Sequence, residues 1–327
     1  MVTDRVRVSI ASASVLGLLR YKLAVPPTTA YIMSYHDGSC SANCSFCAQA
    51  SGHQGNHDKL SRVVWPDFPT LKVIEGFLNP SMYVLERICF QVINYPNFLN
   101  ETIEMVKLFR KETNLPISVD ICPVGFDGLR QLRKAGAERI NIPLDGATEE
   151  IFDQVKGKDV GGPYRWEKHL ETLQEAVEVF GEGMVGTNLI IGLGETEREA
   201  VEFMQKLINI KVRSILFAFT PLKGTRLEAL KQPDIQSYRR VQVARHLIVN
   251  KHTSIDAIEF DADGKITGFN VPDLVELLGD GEVFRTTGCP GCNRPFYNER
   301  PSGPFFNFPR SLSENEIRNE LTKLGLK

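Results

Sequence analysis

The sequence has no surplus of charge of either sign. Its 38 Lys and Arg against 40 Asp and Glu leave a formal net charge of −2, and charged residues make up 24% of the 327. No basic stripe of the kind that nucleic acid or an anionic membrane requires is present, so small molecules and protein partners are the expected ligands. The apolar stretch around Val15 to Leu19 is too short to cross a bilayer, and the opening Met1-Val2-Thr3-Asp4-Arg5 places charges at Asp4 and Arg5 and does not read as a signal peptide. Cysteines number seven, an odd count, whereas a secreted disulfide framework is shorter and evenly counted. These absences point to a cytoplasmic protein in a reducing compartment. No internal repeat or low-complexity tract stands out.

What is present is a tight triplet: Cys40, Cys44 and Cys47 in the run Cys40-Ser41-Ala42-Asn43-Cys44-Ser45-Phe46-Cys47. Soft thiolates select iron-sulfur or zinc chemistry. Three of them hold three irons of a [4Fe-4S] cube, and with no fourth cysteine nearby the last iron is left open to a substrate. A structural zinc site is the competing reading; it needs a fourth ligand, for which His36, His53 or His57 stand at irregular spacing. Three unrelated core cysteines are the other alternative.

With 42% hydrophobic residues the chain can bury a sizeable core, and an α/β barrel of this length is commonly one domain. From about residue 28, short β-rich runs alternate with segments of helical period, the βαβα signature of parallel sheets and barrels. Strands are expected at Thr29 to Tyr35, Arg87 to Ile93, Ile117 to Ile121, Arg139 to Leu144, Met184 to Ile191, Ser214 to Phe219 and Ile255 to Phe260. Helices are expected at Leu99 to Lys111, Phe126 to Ala135, Arg165 to Phe180, Glu197 to Leu207 and Ile235 to Val249. Residues 1–27 read as an N-terminal helical cap, 28–280 as the barrel and 281–327 as a C-terminal segment. Gly281 to Arg310 is crowded with Gly, Pro, Phe, Asn and Arg and is expected to be irregular, packed on the barrel through its aromatics. Ser311 to Leu326 reads as a terminal helix, with Ser313 and Glu316 in capping-box spacing. In a parallel barrel the C-terminal ends of the strands carry the chemistry, and the triplet follows the first of them.

The C-x3-C-x2-C run with an aromatic before its last cysteine resembles the signature of the radical S-adenosylmethionine (SAM) superfamily. Members bind the amino and carboxylate groups of SAM at the open iron. The resemblance implies a radical SAM TIM-type (β/α) barrel, full or nearly full, and a [4Fe-4S] cluster on Cys40, Cys44 and Cys47, with Phe46 packing beside the adenine. Further blocks are similar to the biotin synthase branch: Cys47-Ala48-Gln49, Arg87-Ile88-Cys89-Phe90, Asp120-Ile121-Cys122, Pro143-Leu144-Asp145, Ile190-Ile191-Gly192-Leu193-Gly194-Glu195-Thr196 and Phe219-Thr220-Pro221-Leu222-Lys223-Gly224-Thr225. In that branch the cysteines matching Cys89 and Cys122 help to bind a second, sacrificial cluster together with a third strand cysteine and an arginine. Here Val185-Gly186-Thr187-Asn188 contains no cysteine, and no arginine is evident near Ser254 to Asp261, so a biotin-type [2Fe-2S] site is incomplete.

The chain has Cys289-Pro290-Gly291-Cys292 instead, a C-x-x-C whose Pro-Gly favours a tight turn. Once the triplet is assigned, two pairs remain, and two plus two make a four-thiolate site. The expectation is an auxiliary [4Fe-4S] cluster on Cys122, Cys289 and Cys292, with Cys89 as fourth ligand; Ser302 is an alternative for that place. A zinc knuckle, a redox dithiol and buried free cysteines are the competing readings. The run from Asn293 to Pro304 resembles the tail of one half of a two-protein lipoyl synthase, in which two radical SAM proteins each insert sulfur into a protein-bound octanoyl chain. The resemblance implies an octanoylated lipoyl domain or a glycine-cleavage H-type carrier as substrate, a second radical SAM component as partner, and an electron donor. It implies hydrogen abstraction by a 5′-deoxyadenosyl radical and sulfur drawn from the auxiliary cluster. Biotin-type sulfur insertion and another radical SAM chemistry, rearrangement or metallocofactor assembly, stand as alternatives. For SAM itself the candidates are Asp145, read either as a contact or as a helix cap, Gly192 and Gly194, which let backbone approach the adenine, and Gln91 and Asn141. Arg294, Arg300 and Arg310 are read as surface-paired, with electrostatic contact to substrate or cluster as the alternative.

Overall fold

The structure, a computed structural model, describes residues 4–55 and 57–325. Its first element is a strand, β1 (Arg5–Val8), followed by a short helix, α1 (Ile10–Val15). In Arg5-Val6-Arg7-Val8 charge and apolar side chains alternate with the strand period of two, and Val6 and Val8 are fully buried. This corrects the expected helical cap over residues 1–27, since its opening pairs into the main sheet.

β2 (Thr29–Ser34) is buried at every position, as a central parallel strand covered on both faces must be. In the connection after it, β3 (Lys59–Leu60) and β4 (Val63–Val64) form a small hairpin, and β5 (Asp67–Pro69) pairs antiparallel with β1. Then follow α2 (Thr70–Gly76), β6 (Arg87–Gln91), α3 (Phe98–Glu112), β7 (Ile117–Asp120), α4 (Phe126–Ala135), β8 (Ala137–Asn141), α5 (Glu149–Val155), α6 (Trp166–Phe180), β9 (Val185–Ile191), α7 (Glu197–Asn209), β10 (Arg213–Ala218) and α8 (Ile235–Val249). The helices pack their apolar faces on the sheet; α3, for instance, buries Ile103, Met105, Val106 and Phe109.

The strand order is β10-β9-β8-β7-β6-β2-β1-β5, and every neighbouring pair from β2 to β10 is parallel. The result is an open (β/α) barrel of the TIM type. The strand expected at Ile255 to Phe260 does not enter it. β11 (Ile258–Phe260) pairs only with β12 (Ile266–Phe269), because the Asp261 side chain accepts from the Asp263 and Lys265 amides and turns the chain straight back.

The C-terminal segment covers the gap this leaves. After α9 (Leu274–Leu277), Thr287 Oγ1 accepts from Leu216 N at 2.8 Å on the outer edge of β10, and Arg294 donates to Leu216 O at 3.2 Å. On the far side Asn293 accepts from Thr28 N and donates to Pro26 O, both at 2.9 Å, just before β2 begins. The segment thus runs from the last parallel strand to the first and leaves no bare edge at β10. It is pinned from outside by Arg239 of α8, which is fully buried and bonds Glu320 of α10 (Glu314–Lys323) at 2.7 Å and Phe306 O at 2.6 Å. Ser313 and Glu316 close the expected capping box at the start of α10.

Candidate active site within the barrel

All seven cysteines line one cavity of about 270 Å³ inside the barrel. The triplet lies at its mouth, in the loop after β2. That loop is held by Cys40 N to Gln49 O at 2.8 Å, Ser41 N to Asn94 O at 2.6 Å and Cys47 N to Cys44 O at 3.1 Å. Backbone amides aim at the sulfurs: those of Ala42 and Asn94 lie 3.4 and 3.3 Å from Cys40 Sγ, and that of Gln49 lies 3.4 Å from Cys47 Sγ. Burial pushes all three thiols up, Cys47 to about 12, against a downward pull from backbone amides and from Lys156. Buried thiols of this kind keep their protons unless a metal replaces them. Phe46 lines the cavity and packs with Ile151, Val155, Leu193 and Phe219.

Beside the triplet sits a buried ion pair, Lys156 Nζ to Asp145 Oδ2 at 2.7 Å. Asp145 has a left-handed backbone, φ 70°, and is clamped to β9 by Asp145 N to Asn188 O and Ile190 N to Asp145 O, both 2.9 Å. Lys156 follows the last turn of α5, and its ammonium lies 5.2 Å from the centre of the Tyr164 ring. An ion pair open to a cavity offers a carboxylate to an ammonium and an ammonium to a carboxylate.

Deeper in, Asp120 Oδ2 accepts from Asn141 at 2.8 Å and from Asn188 at 3.3 Å, and burial raises its carboxyl to about 6. Asn141 therefore stands in this polar layer and bonds its neighbours on β7 and β9. Gln91 stands level with Asp120 in the β6–β7 register and donates to Cys89 Sγ at 3.2 Å, linking this layer to the floor of the cavity.

At that floor Cys89 meets the tail. Ser118 lies opposite Cys89 in the β6–β7 register and donates to Cys289 Sγ at 3.2 Å. Tyr31 Oη lies 3.3 Å from Cys292 Sγ and accepts from the Arg294 amide at 2.9 Å. The Cys289-Cys292 turn closes through Cys292 N to Cys289 O at 2.9 Å, with Gly291 left-handed as such a turn requires. Burial raises Cys89 well above the ordinary thiol value, and the neighbouring Cys289, Asp120 and Cys292 raise it further.

Cys122, expected with Cys289 and Cys292, lines the same cavity but has other groups around it. Cys122 lies just past the end of β7, four residues beyond Ser118, the partner of Cys289. Its neighbours are Tyr164, Cys40 and Lys156, and burial, the largest effect, lifts it to about 11. Ser302 is exposed and does not line the cavity. Gly192 and Gly194 are also outside the lining. Both have positive φ, Gly192 packs against Pro233, and the Glu195 carboxylate occupies the amides of Gly192 and Leu193 at 2.6 and 3.0 Å. Of the three arginines read as surface-paired, Arg310 does pair outside, with Glu316, whereas Arg294 points inward and stacks 3.8 Å from the centre of the Phe217 ring.

Lys156, Tyr164, Tyr31 and Asn188 also line the cavity and stand in no motif of the sequence, whereas Asp120 stands in the Asp120-Ile121-Cys122 block. For the strand residues a signal exists: Cys89 and Gln91, like Ser118, Asp120 and Cys122, are spaced by two and share the inward face. Lys156 and Tyr164 lie on the connection after β8 and have no such periodicity.

His36 stacks on Tyr95, and the rings of His53 and His57 meet edge to face; none of the three lines the cavity. Among the described residues no three His, Cys, Asp or Glu side chains gather closely enough for a single metal ion. An iron-sulfur cube makes a different demand, because each thiolate takes its own iron. Cavity-facing thiols with amide N–H groups aimed at their sulfurs meet that demand at the mouth. Among the described residues no helix is long and apolar enough to cross a membrane.

The sequence profile of the Radical SAM superfamily matches residues 35–207. Biotin synthase of Persephonella marina is 27% identical over 205 residues, covering 62% of this chain and 57% of that one. Biotin synthase of Aquifex aeolicus is 27% identical over 203 residues, covering 60% and 57%. The matched region thus spans less than two thirds of these relatives. Among solved structures, methylornithine synthase shares the fold with a TM-score of 0.50 at 16% identity, covering 80% of this chain and 81% of that one. The FeFe-hydrogenase maturase HydG from Carboxydothermus hydrogenoformans gives 0.51 at 14% identity, covering 88% and 74%.

Proposed function

Because the chain belongs to the radical SAM superfamily, which implies a [4Fe-4S] cluster and SAM, we propose that it inserts sulfur into a protein-bound octanoyl chain. In this reading it works with a second radical SAM protein in forming the lipoyl cofactor, and the sulfur comes from an auxiliary iron-sulfur cluster at the floor of the barrel. The observation that carries the proposal is the placement of two thiol groups at opposite ends of one cavity, Cys40, Cys44 and Cys47 at the mouth and Cys89, Cys289 and Cys292 at the floor.

The bound cofactors supply the radical that removes hydrogen from an unactivated carbon, a task no side-chain base performs. The protein supplies position. Asp145 and Lys156 present opposite charges beside the triplet, and an amino acid's ammonium and carboxylate match that pair. Phe46 offers an apolar face toward Leu193 for a flat ring. Between mouth and floor, Met33, Ile93, Ile190, Ile215 and Phe217 form walls suited to an alkyl chain, and the tail keeps water out from below.

The test is incubation of the reconstituted, reduced protein with SAM and an octanoylated lipoyl-domain peptide, with and without the second radical SAM protein, followed by mass spectrometry. Thiolated peptide together with 5′-deoxyadenosine is the expected result. Deoxyadenosine without thiolated peptide in either arm overturns the lipoyl assignment. Dethiobiotin in a parallel arm tests the reading suggested by the biotin synthase relatives.

A further inference from the structure

The geometry points to a three-thiolate metal site at the barrel floor, formed by Cys89, Cys289 and Cys292, charge-compensated by Arg87, Arg139 and Arg294, with Cys122 outside it. This deepens the proposed function and rests on it, since a sulfur source inside the barrel is what that reading needs.

The strand register sets the membership. Cys89 pairs with Ser118, and Ser118 bonds Cys289, so Cys89 and the tail pair stand at one level. Cys122 follows the end of β7, four residues after Ser118, where Tyr164 bonds it and Cys40 and Lys156 act on it. The tail cannot rise to meet it, because Thr28 bonds both Gly291 and Asn293 at the start of β2, and Arg87 at the start of β6 reaches Pro290 O at 3.5 Å.

The charges around the three thiols are the second observation. Three buried thiolates and the sulfides of a cluster form an anionic group, which a protein interior accepts only with compensating charge. Arg87 and Arg139 both act on Cys289, and Arg87 also donates to Ser118, the partner of Cys289, at 3.0 Å. Arg294 comes within 4.0 Å of Cys292 Sγ and acts on Tyr31, which touches the same sulfur. The nearby carboxylates are Glu138, paired with Arg87 at 2.6 Å, Glu86 beside Gly291 of the turn, and Asp120, which acts on Cys89; Arg139 Nε lies 3.8 Å from Glu138 and makes no hydrogen bond. The guanidinium groups of Arg87, Arg139 and Arg294 thus stand beside the two tail thiols, a placement that suits an anionic cluster. Ser302 is on the surface and does not close the site, and one corner is left facing the cavity.

The experiment uses the full chain with Cys40, Cys44 and Cys47 replaced by Ala, so that only the floor site can hold iron. After anaerobic reconstitution this variant is expected to keep about four irons per chain and the visible absorption of an iron-sulfur cluster. Adding Cys89→Ser, Cys289→Ser or Cys292→Ser should cut iron and absorption several-fold, while adding Cys122→Ser should leave both unchanged; circular dichroism checks that each variant is folded. Loss with Cys122→Ser and retention with Cys89→Ser would overturn the ligand set and leave the sulfur-insertion reading standing. No iron at all in the starting variant would overturn both. Arg139→Gln should shift the reduction potential of the remaining cluster to a more negative value, and an unchanged potential would remove the charge-compensation part of the inference.

Discussion

Cys89 and Ser118 face each other across the β6–β7 pairing, and Ser118 extends that register to the tail by donating to Cys289. Two cysteines that look alike in sequence, Cys89 within β6 and Cys122 just past the end of β7, are thereby set apart. Cys89 belongs to the floor, and Cys122 to the mouth beside Tyr164 and Cys40. The barrel axis thus becomes a coordinate along which chemistry is sorted, with the Asp120–Asn141–Asn188 layer between the two ends.

The Asp145–Lys156 pair should behave as a coupled unit. Lys156→Met leaves the Asp145 carboxylate and Pro143 O without their buried donor, and breaking one side of a buried pair costs about 3–5 kcal/mol. Urea unfolding should show that loss for Lys156→Met, and a smaller loss for the double variant Asp145→Asn/Lys156→Met than the two single losses added together. Strict additivity would mean that the pair is not coupled.

The tail should be held down from outside by Arg239. Arg239→Met keeps most of the side-chain volume but removes the donor to Phe305 O and one of the donors to Phe306 O and to Glu320, which keep Gln242 and Lys323 respectively. We expect a loss on the order of 3 kcal/mol and faster limited proteolysis within residues 285–310 than in the parent. Equal cleavage rates would show that the tail is held by its aromatic contacts alone.

The alternation of elements was legible because apolar period changes from two to 3.6 along the chain, and α4 and α8 begin and end where that period does. The edges were harder to read. Val6 and Val8 alternate as a strand, yet four residues carry a weak signal, and their burial depends on β2 and β5, which lie far along the sequence. Ile258–Phe260 has strand composition, but whether it joins the barrel was decided by the Asp261 turn. At the site, the triplet was visible because its ligands share one loop. For the remaining four cysteines, counting carries no information about height, and the register that pairs Cys89 with Ser118 is what sets Cys89 apart from Cys122.

Acid should weaken the fold through His169. Burial, aided by Lys156, lowers its imidazole to about 3; Nδ1 faces Arg165 O at 2.9 Å, and Nε2 has no partner. The unfolded chain takes up this proton near the ordinary value of about 6.5 while the folded chain resists it. Stability is therefore full above that value and falls as pH drops toward 3, by at most about 1.4 kcal/mol per pH unit. Between pH 7 and pH 5, His169→Gln should lose less stability than the parent, because the carboxylates common to both titrate alike. Parallel losses would place the acid sensitivity elsewhere.

Gly186 marks the stretch where a biotin-type site would need its third cysteine, and packing keeps a side chain out. A Cβ there would stand 2.9 Å from Asn141 Oδ1 and 3.2 Å from Ile215 Cδ1. Asn141 cannot swing aside freely, because its Nδ2 is tied to Asp120 and Asn188 at 2.8 and 2.9 Å. Gly186→Cys should therefore destabilise the protein by about 1–3 kcal/mol, as overpacking does. In an Asn141→Ala background, where the obstructing oxygen is gone, the same substitution should cost at least about 1 kcal/mol less, a coupling expected of residues in contact. Urea unfolding of the four proteins of this cycle measures both values. If Gly186→Cys is as stable as the parent, the barrel has room for the missing thiol, and its absence owes nothing to packing against Asn141.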